Sequence, residues 1–205
     1  MIGILDLGLG NLRSLSNAVA YNGFDFEIVG DPARFDQLTH LIIPGVGNFA
    51  AAMKSFEAGG WRTPVHAFAR SGRPVLGVCL GMQLLATKGT ESGLTDGIGF
   101  IPGVVKRLEP GDAFRIPHVG WNVLNPTQQH PIFQGLKTGR DFYFVHSYAV
   151  NCDARADVLG ETEYGGPVTA VIGRDNVVGF QFHPEKSEKN GLMLLENFCL
   201  WDGKC

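Results

Sequence analysis

No run in this 205-residue chain approaches the ~20 consecutive apolar residues that span a membrane. The opening Met1-Ile2-Gly3-Ile4-Leu5-Asp6 begins like a core strand, without the basic leader and cleavage site of a secretory signal. A cytoplasmic protein with no membrane partner is expected. Excess positive charge is lacking too, since 17 Lys and Arg stand against 20 Asp and Glu, a formal net charge of -3. A nucleic-acid partner would need basic side chains to neutralise phosphates, so none is expected. Cysteine is scarce, and Cys79, Cys152, Cys199 and Cys205 include no Cys-x-x-Cys pair, which argues against a zinc site or a disulfide framework. Neither metal nor cofactor is expected. No Gly-x-x-x-x-Gly-Lys-[Ser/Thr] phosphate loop occurs, and Gly8-Leu9-Gly10 lacks the third glycine of a dinucleotide-binding turn, its place being taken by Arg13. That segment reads as a tight strand-to-helix turn.

What is present is an ordinary globular composition, 44% hydrophobic and 18% charged, long enough for one domain over residues 1–205 that buries roughly 70% of its unfolded surface. The first half alternates short aliphatic runs with amphipathic ones, the βαβ pattern of a largely parallel sheet covered by helices on both faces. Strands are predicted at 2–6, 25–29, 41–43 and 74–78. Helices are predicted from Asn11, which can cap the run carrying Leu12, Leu15, Ala18 and Val19, and at 48–58, 62–71 and from Cys79 through Thr87. On this reading the sheet core is made before residue 90. From residue 97 the strand candidates come close together, at 98–108, 116–124, 141–150, 156–163, 168–173 and 177–182, as in an antiparallel insertion. A helix over 188–201, with Cys199 packed in its apolar run, closes a three-layer α/β/α, flavodoxin-like fold with an open, largely parallel sheet.

The apolar segment Pro74-Val75-Leu76-Gly77-Val78 ends abruptly on Cys79, followed at once by helix-forming residues. A side chain at such a turn stands clear of the sheet edge, and the peptide N–H groups beyond it favour a thiolate and can hold an oxyanion. Gly77 removes bulk beneath the turn and Gly81 permits close backbone approach. A lone cysteine in a strand is more often plain core, and a cysteine nucleophile needs a base. Of the six histidines only His183 directly follows a strong strand run, in Gln181-Phe182-His183-Pro184-Glu185. Strand ends are where open α/β sheets place their sites, and the proline fixes the chain so that Glu185 can orient one imidazole nitrogen while the other faces the thiol. Pro44-Gly45-Val46-Gly47 follows another strand; the N–H of Val46 or Gly47, with that of Leu80, could receive the oxyanion.

These residues resemble the class I (triad) glutamine amidotransferases, over nearly the whole chain. Within that family the resemblance is greatest to glutaminase subunits of imidazole glycerol phosphate synthases. It is carried by Gly8-Leu9-Gly10-Asn11-Leu12-Arg13-Ser14, Pro44-Gly45-Val46-Gly47, Cys79-Leu80-Gly81-Met82-Gln83, Pro117-His118-Val119-Gly120-Trp121-Asn122 and His183-Pro184-Glu185-Lys186-Ser187. The resemblance implies a Cys79–His183–Glu185 triad that releases ammonia from L-glutamine through a glutamyl thioester. It also implies that Gln83, the backbone of Gly47, and Ser147 and Tyr148 hold the substrate. Asn11, Trp121, Tyr143 and Lys186 match positions near the passage to a partner, a (β/α)8-barrel synthase subunit that forms a heterodimer and receives the ammonia, with weak activity expected in its absence. Read on their own, Trp121 and Tyr143 could equally be core residues and Lys186 a solvated charge.

Leu7 departs from the tyrosine common in the opening motif, and Ala86-Thr87-Lys88-Gly89-Thr90-Glu91 is not the usual acidic version. Neither touches the triad. Other readings are a paralogue feeding a sugar-modifying synthase in surface-polysaccharide synthesis, a stand-alone α/β cysteine hydrolase, or a regulatory subunit without activity, against which the intact triad speaks.

Overall fold

A computed structural model describes residues 1–8 and 11–204; Leu9 and Gly10 of the glycine turn, and Cys205, lie outside the described residues. In chain order the first half comprises β1 (Ile2–Leu5), α1 (Leu12–Tyr21), β2 (Phe26–Val29), β3 (His40–Ile43), α2 (Phe49–Ala58), α3 (Arg62–Arg70), β4 (Val75–Val78) and α4 (Leu80–Leu84). Then follow β5 (Ala86–Gly89), β6 (Thr95–Asp96), β7 (Ile101–Arg107), β8 (His118–Pro126), β9 (Arg140–His146), β10 (Tyr148–Cys152), β11 (Val158–Glu163), β12 (Pro167–Arg174), β13 (Val177–Phe180) and α5 (Glu188–Leu200).

Nine strands form one sheet in the order β2-β1-β3-β4-β13-β12-β11-β8-β9. The half from β2 to β13 is parallel and the remainder antiparallel. Strands β1, β4 and β13 are apolar and buried throughout, as a parallel sheet covered on both faces requires. Successive residues alternate between two cores. Leu76, Val78, Val178 and Phe180 face α1 and α5 through Leu15, Val19, Leu194 and Phe198. Val75 and Val177 face α2 and α3 through Phe56, Val65 and Phe68. The three-layer α/β/α arrangement is the one expected.

Three expectations need correction. The sheet core is not complete before residue 90, because β13 lies parallel to β4, with Val177 opposite Val75 and Phe180 opposite Val78. An apolar run announces a central strand but not its neighbour. The strand expected over 141–150 divides at Ser147: β9 pairs with β8 in the large sheet, whereas β10 pairs with β7 in a second sheet of order β10-β7-β5-β6. Part of the supposed insertion thus extends the main sheet. Finally, the helix after Cys79 stops at Leu84 instead of Thr87. The N–H groups of Ile98 and Ile101 take the carbonyls of Leu84 and Leu85, at 2.7 and 3.0 Å, that a longer helix would have used internally.

Candidate active site

Cys79 closes the β4–β13 ladder by donating its N–H to the Phe180 carbonyl at 2.7 Å, and then turns sharply. Its φ of +55° and ψ of -111° place a non-glycine residue in a sparsely occupied region, a strain on the order of 1–3 kcal/mol held by the packing around it. The packing depends on missing side chains. A Cβ on Gly81 would collide with the Ile43 carbonyl, and one on Gly77 with the Gly81 carbonyl. The turn therefore tucks between β3 and β4 and lifts the thiol to the carboxyl edge of the sheet.

His183 follows β13 at the same edge. Pro184 opens a single 3-10 turn that returns Glu185 to the imidazole, and His183 Nδ1 lies 2.8 Å from Glu185 Oε1, with the two side chains only 3% and 2% exposed. The turn is anchored from β9: the His183 N–H donates to the Tyr143 carbonyl at 2.9 Å, and the Ser187 hydroxyl accepts from the Tyr143 N–H at 2.9 Å while donating to the His183 carbonyl at 2.6 Å. Burial pulls the imidazole pKa down, but the Cys79 and Glu185 side chains outweigh it and raise it to about 9. His183 Nε2 has no hydrogen-bond partner among the described residues. The geometry therefore provides an oriented base facing a thiol.

A cavity of about 380 Å³ opens over Cys79 and His183, lined by Val46 and Gly47, by Leu80 and Gln83, by His146, Ser147 and Tyr148, and by Glu91, Pro117, Val145 and Lys186. It gathers the expected nucleophile, base and substrate-holding residues from four separate parts of the chain, around residues 47, 79–83, 147–148 and 183. Glu185 stands behind His183, outside the cavity wall. Gly47, at φ +110°, occupies backbone space open to glycine.

Two expectations are modified here. The Leu80 N–H, a candidate oxyanion donor, donates to the Gly45 carbonyl at 3.3 Å and is occupied. Asn11 makes no side-chain cap on α1; its Nδ2 donates instead to Glu185 Oε1 at 3.4 Å. Trp121, Tyr143 and Lys186 prove contiguous. Trp121 is 47% exposed, which removes the core-packing alternative. It meets Tyr143 edge-on at 6.0 Å, and Lys186 Nζ lies 5.8 Å from the Tyr143 ring centre.

Sequence reasoning passed over Glu91, whose Oε2 accepts the Phe49 N–H at 2.8 Å at the start of α2, and over a buried histidine pair. His118 Nδ1 lies 3.0 Å from His146 Nε2, and His146 Nδ1 lies 2.9 Å from the Tyr148 carbonyl. It also assigned no role to Gln181, wholly buried beside Gln83. A glutamine within the otherwise apolar run 177–182 was the available signal. Among the described residues, no group of three or more His, Cys, Asp or Glu could hold a metal ion.

The model of the family described as glutamine amidotransferase class-I matches residues 3–201. The protein named imidazole glycerol phosphate synthase subunit HisH of Desulfitobacterium hafniense (strain DSM 10664 / DCB-2) is 46% identical over 201 residues, covering 98% of this chain and 94% of its own. The protein of the same name in Syntrophotalea carbinolica is 43% identical over 203 residues, covering 97% and 98%. A crystal structure titled as a glutamine amidotransferase superposes with a TM-score of 0.75 at 21% identity, covering 97% of this chain and 99% of that one, which speaks for the fold alone.

Proposed function

The chain belongs to the class-I glutamine amidotransferase family, and from that premise we propose that it is the glutaminase subunit of an imidazole glycerol phosphate synthase, acting in the cytoplasm in histidine biosynthesis. The observation that carries the catalytic reading is the meeting of Cys79, on its strained elbow, with His183 held by Glu185 at the wall of one cavity.

In the reaction, the Cys79 thiolate attacks the side-chain amide carbon of glutamine. His183 takes the thiol proton and passes it to the departing nitrogen, so that the C–N bond breaks, ammonia leaves and a glutamyl thioester forms. Water, deprotonated by His183, then cleaves the C–S bond and returns glutamate and the thiol. Glu185 keeps Nδ1 protonated and the ring aligned. Gln83, Ser147, Tyr148 and the Gly47 backbone hold the substrate, and the Glu91 carboxylate supplies the negative charge its α-ammonium needs.

The oxyanion requires the N–H groups of Leu80 and of Val46 or Gly47. Because Leu80 is engaged by the Gly45 carbonyl, the segment 44–47 must reorient before both donors are free, and a missing donor lowers the rate by about 10²–10³. Low activity in isolation follows from this arrangement. The stimulating partner is a (β/α)8-barrel synthase that forms a heterodimer across the exposed Val119, Trp121 and Lys186 and the half-buried Tyr143, and takes up the ammonia for its lyase reaction. Glutamate release is measured for the chain alone and after addition of the barrel subunit and its nucleotide substrate. Stimulation of about 10²-fold or more is expected; no release in the complex would refute the reading.

A further inference from the structure

Two donors converge on one backbone acceptor beneath the cavity. The Tyr148 carbonyl lies 2.9 Å from Gln83 Nε2 and 2.9 Å from His146 Nδ1. A carbonyl can only accept, so both facing nitrogens carry hydrogen, and two branches lead on from them. On one branch, Asn122 Nδ2 donates to His118 Nε2 at 3.3 Å, so His118 Nδ1 carries the hydrogen and donates at 3.0 Å to His146 Nε2, which is therefore the lone-pair nitrogen. Asn122 agrees, since its Nδ2 also donates to the Glu163 carbonyl at 2.7 Å and its Oδ1 accepts the Val123 N–H at 2.8 Å. Both imidazoles are thereby neutral in single tautomers.

On the other branch, Gln83 Nε2 also donates to Gln181 Oε1 at 3.1 Å, so the remaining end of the Gln181 amide is its nitrogen. Gln181 Nε2 lies 3.9 Å from Cys79 Sγ. The amide is wholly buried and its orientation is dictated from Tyr148, leaving it unable to present its oxygen to the sulfur.

We infer that Gln181 is a further catalytic residue: it directs a fixed N–H at Cys79 Sγ, stabilises the thiolate, and depends on Gln83 and the Tyr148 carbonyl for that polarity. A neutral thiol is a poor acceptor and tolerates the long contact; the thiolate draws the donor in. The other titratable groups around the sulfur are His183, with Glu185 behind it, and, in the rest of the cavity lining, His146, Tyr148, Glu91 and Lys186. None of them replaces a dipole held on the sheet side. This role rests on the proposed use of Cys79 as nucleophile, yet its direct readout requires neither glutamine nor a synthase.

The test is the pH dependence of Cys79 alkylation by iodoacetamide in the full chain, followed by mass mapping of the Cys79 peptide, for wild type, Gln181→Met and Gln181→Glu. Loss of one donor to a thiolate is expected to raise the midpoint by about one pH unit in Gln181→Met, with a larger rise in Gln181→Glu, where the donor becomes a negative charge. In complex with the synthase, kcat for glutamine should fall about tenfold in Gln181→Met, with KM changed less than about twofold. A wild-type midpoint in either folded variant, or a loss confined to KM, would overturn the assignment, and Gln181→Glu decides alone if Gln181→Met does not fold. A normal shift without any glutaminase activity would instead count against the proposed reaction and leave the Gln181–thiolate contact standing.

Discussion

His183 and His146 line one cavity, with His118 bonded to His146, and the catalytic histidine and the buried pair titrate in opposite directions. Burial disfavours the imidazolium in both places. At His183 it is outweighed by a carboxylate at 2.8 Å and by the Cys79 thiol, and the pKa rises to about 9. At His118 and His146 the ring partners are a carbonyl, an amide and each other, with His118 stacked between Phe144 and Tyr164, and both fall to about 4. The partner of each nitrogen, more than its depth, decides whether a buried histidine is a base for catalysis or a neutral strut.

The most severe way to break this contrast is to remove the thiol. Cys79→Ala should lower glutamate release in the synthase complex by about 10⁴-fold or more, measured by single-turnover assay. Next comes Glu185→Gln, which gives His183 an amide in place of a carboxylate and makes it resemble His118. Its pKa, followed by NMR titration, should drop from about 9, and kcat at neutral pH should fall by about 10²–10⁴-fold. An unchanged His183 titration would show that the thiol alone sets its charge.

The contrast also predicts two limbs in the stability profile. His118 and His146 have folded pKa values near 4, below the ordinary 6.5, so the unfolded chain binds more protons between those values and stability falls as pH drops through that window. His183 has the reverse sign: its contribution is complete below 6.5 and is lost as pH rises through about 9. Melting temperature should therefore fall by on the order of 5 °C between pH 6.5 and 5. The smallest effect is expected from His118→Phe, which keeps a ring between Phe144 and Tyr164. It should flatten the acid limb while changing kcat by no more than about threefold; an unaltered acid limb would remove the pair as its source.

The triad was legible because its signals are local. A cysteine that ends an apolar run marks an elbow, and in His183-Pro184-Glu185 the base and its orienter lie two residues apart. The parallel strands at the N-terminal side were legible for the same reason. What escaped depends on distant partners: β13 beside β4, the amides of Ile98 and Ile101 that end α4, and the division of the 141–150 run at Ser147. Glu91, Gln181 and the His118–His146 pair escaped likewise, since each acquires its role from a residue far away in sequence.

That division at Ser147 separates two tasks. Nucleophile and base stand just beyond the ends of adjacent strands of the large sheet, whereas Ser147 and Tyr148 sit where the chain passes into the small one. Reshaping the small sheet would redraw the grip of Ser147 and Tyr148 on the substrate and, through the Tyr148 carbonyl, would reach the Gln83 and Gln181 amides beside Cys79 as well.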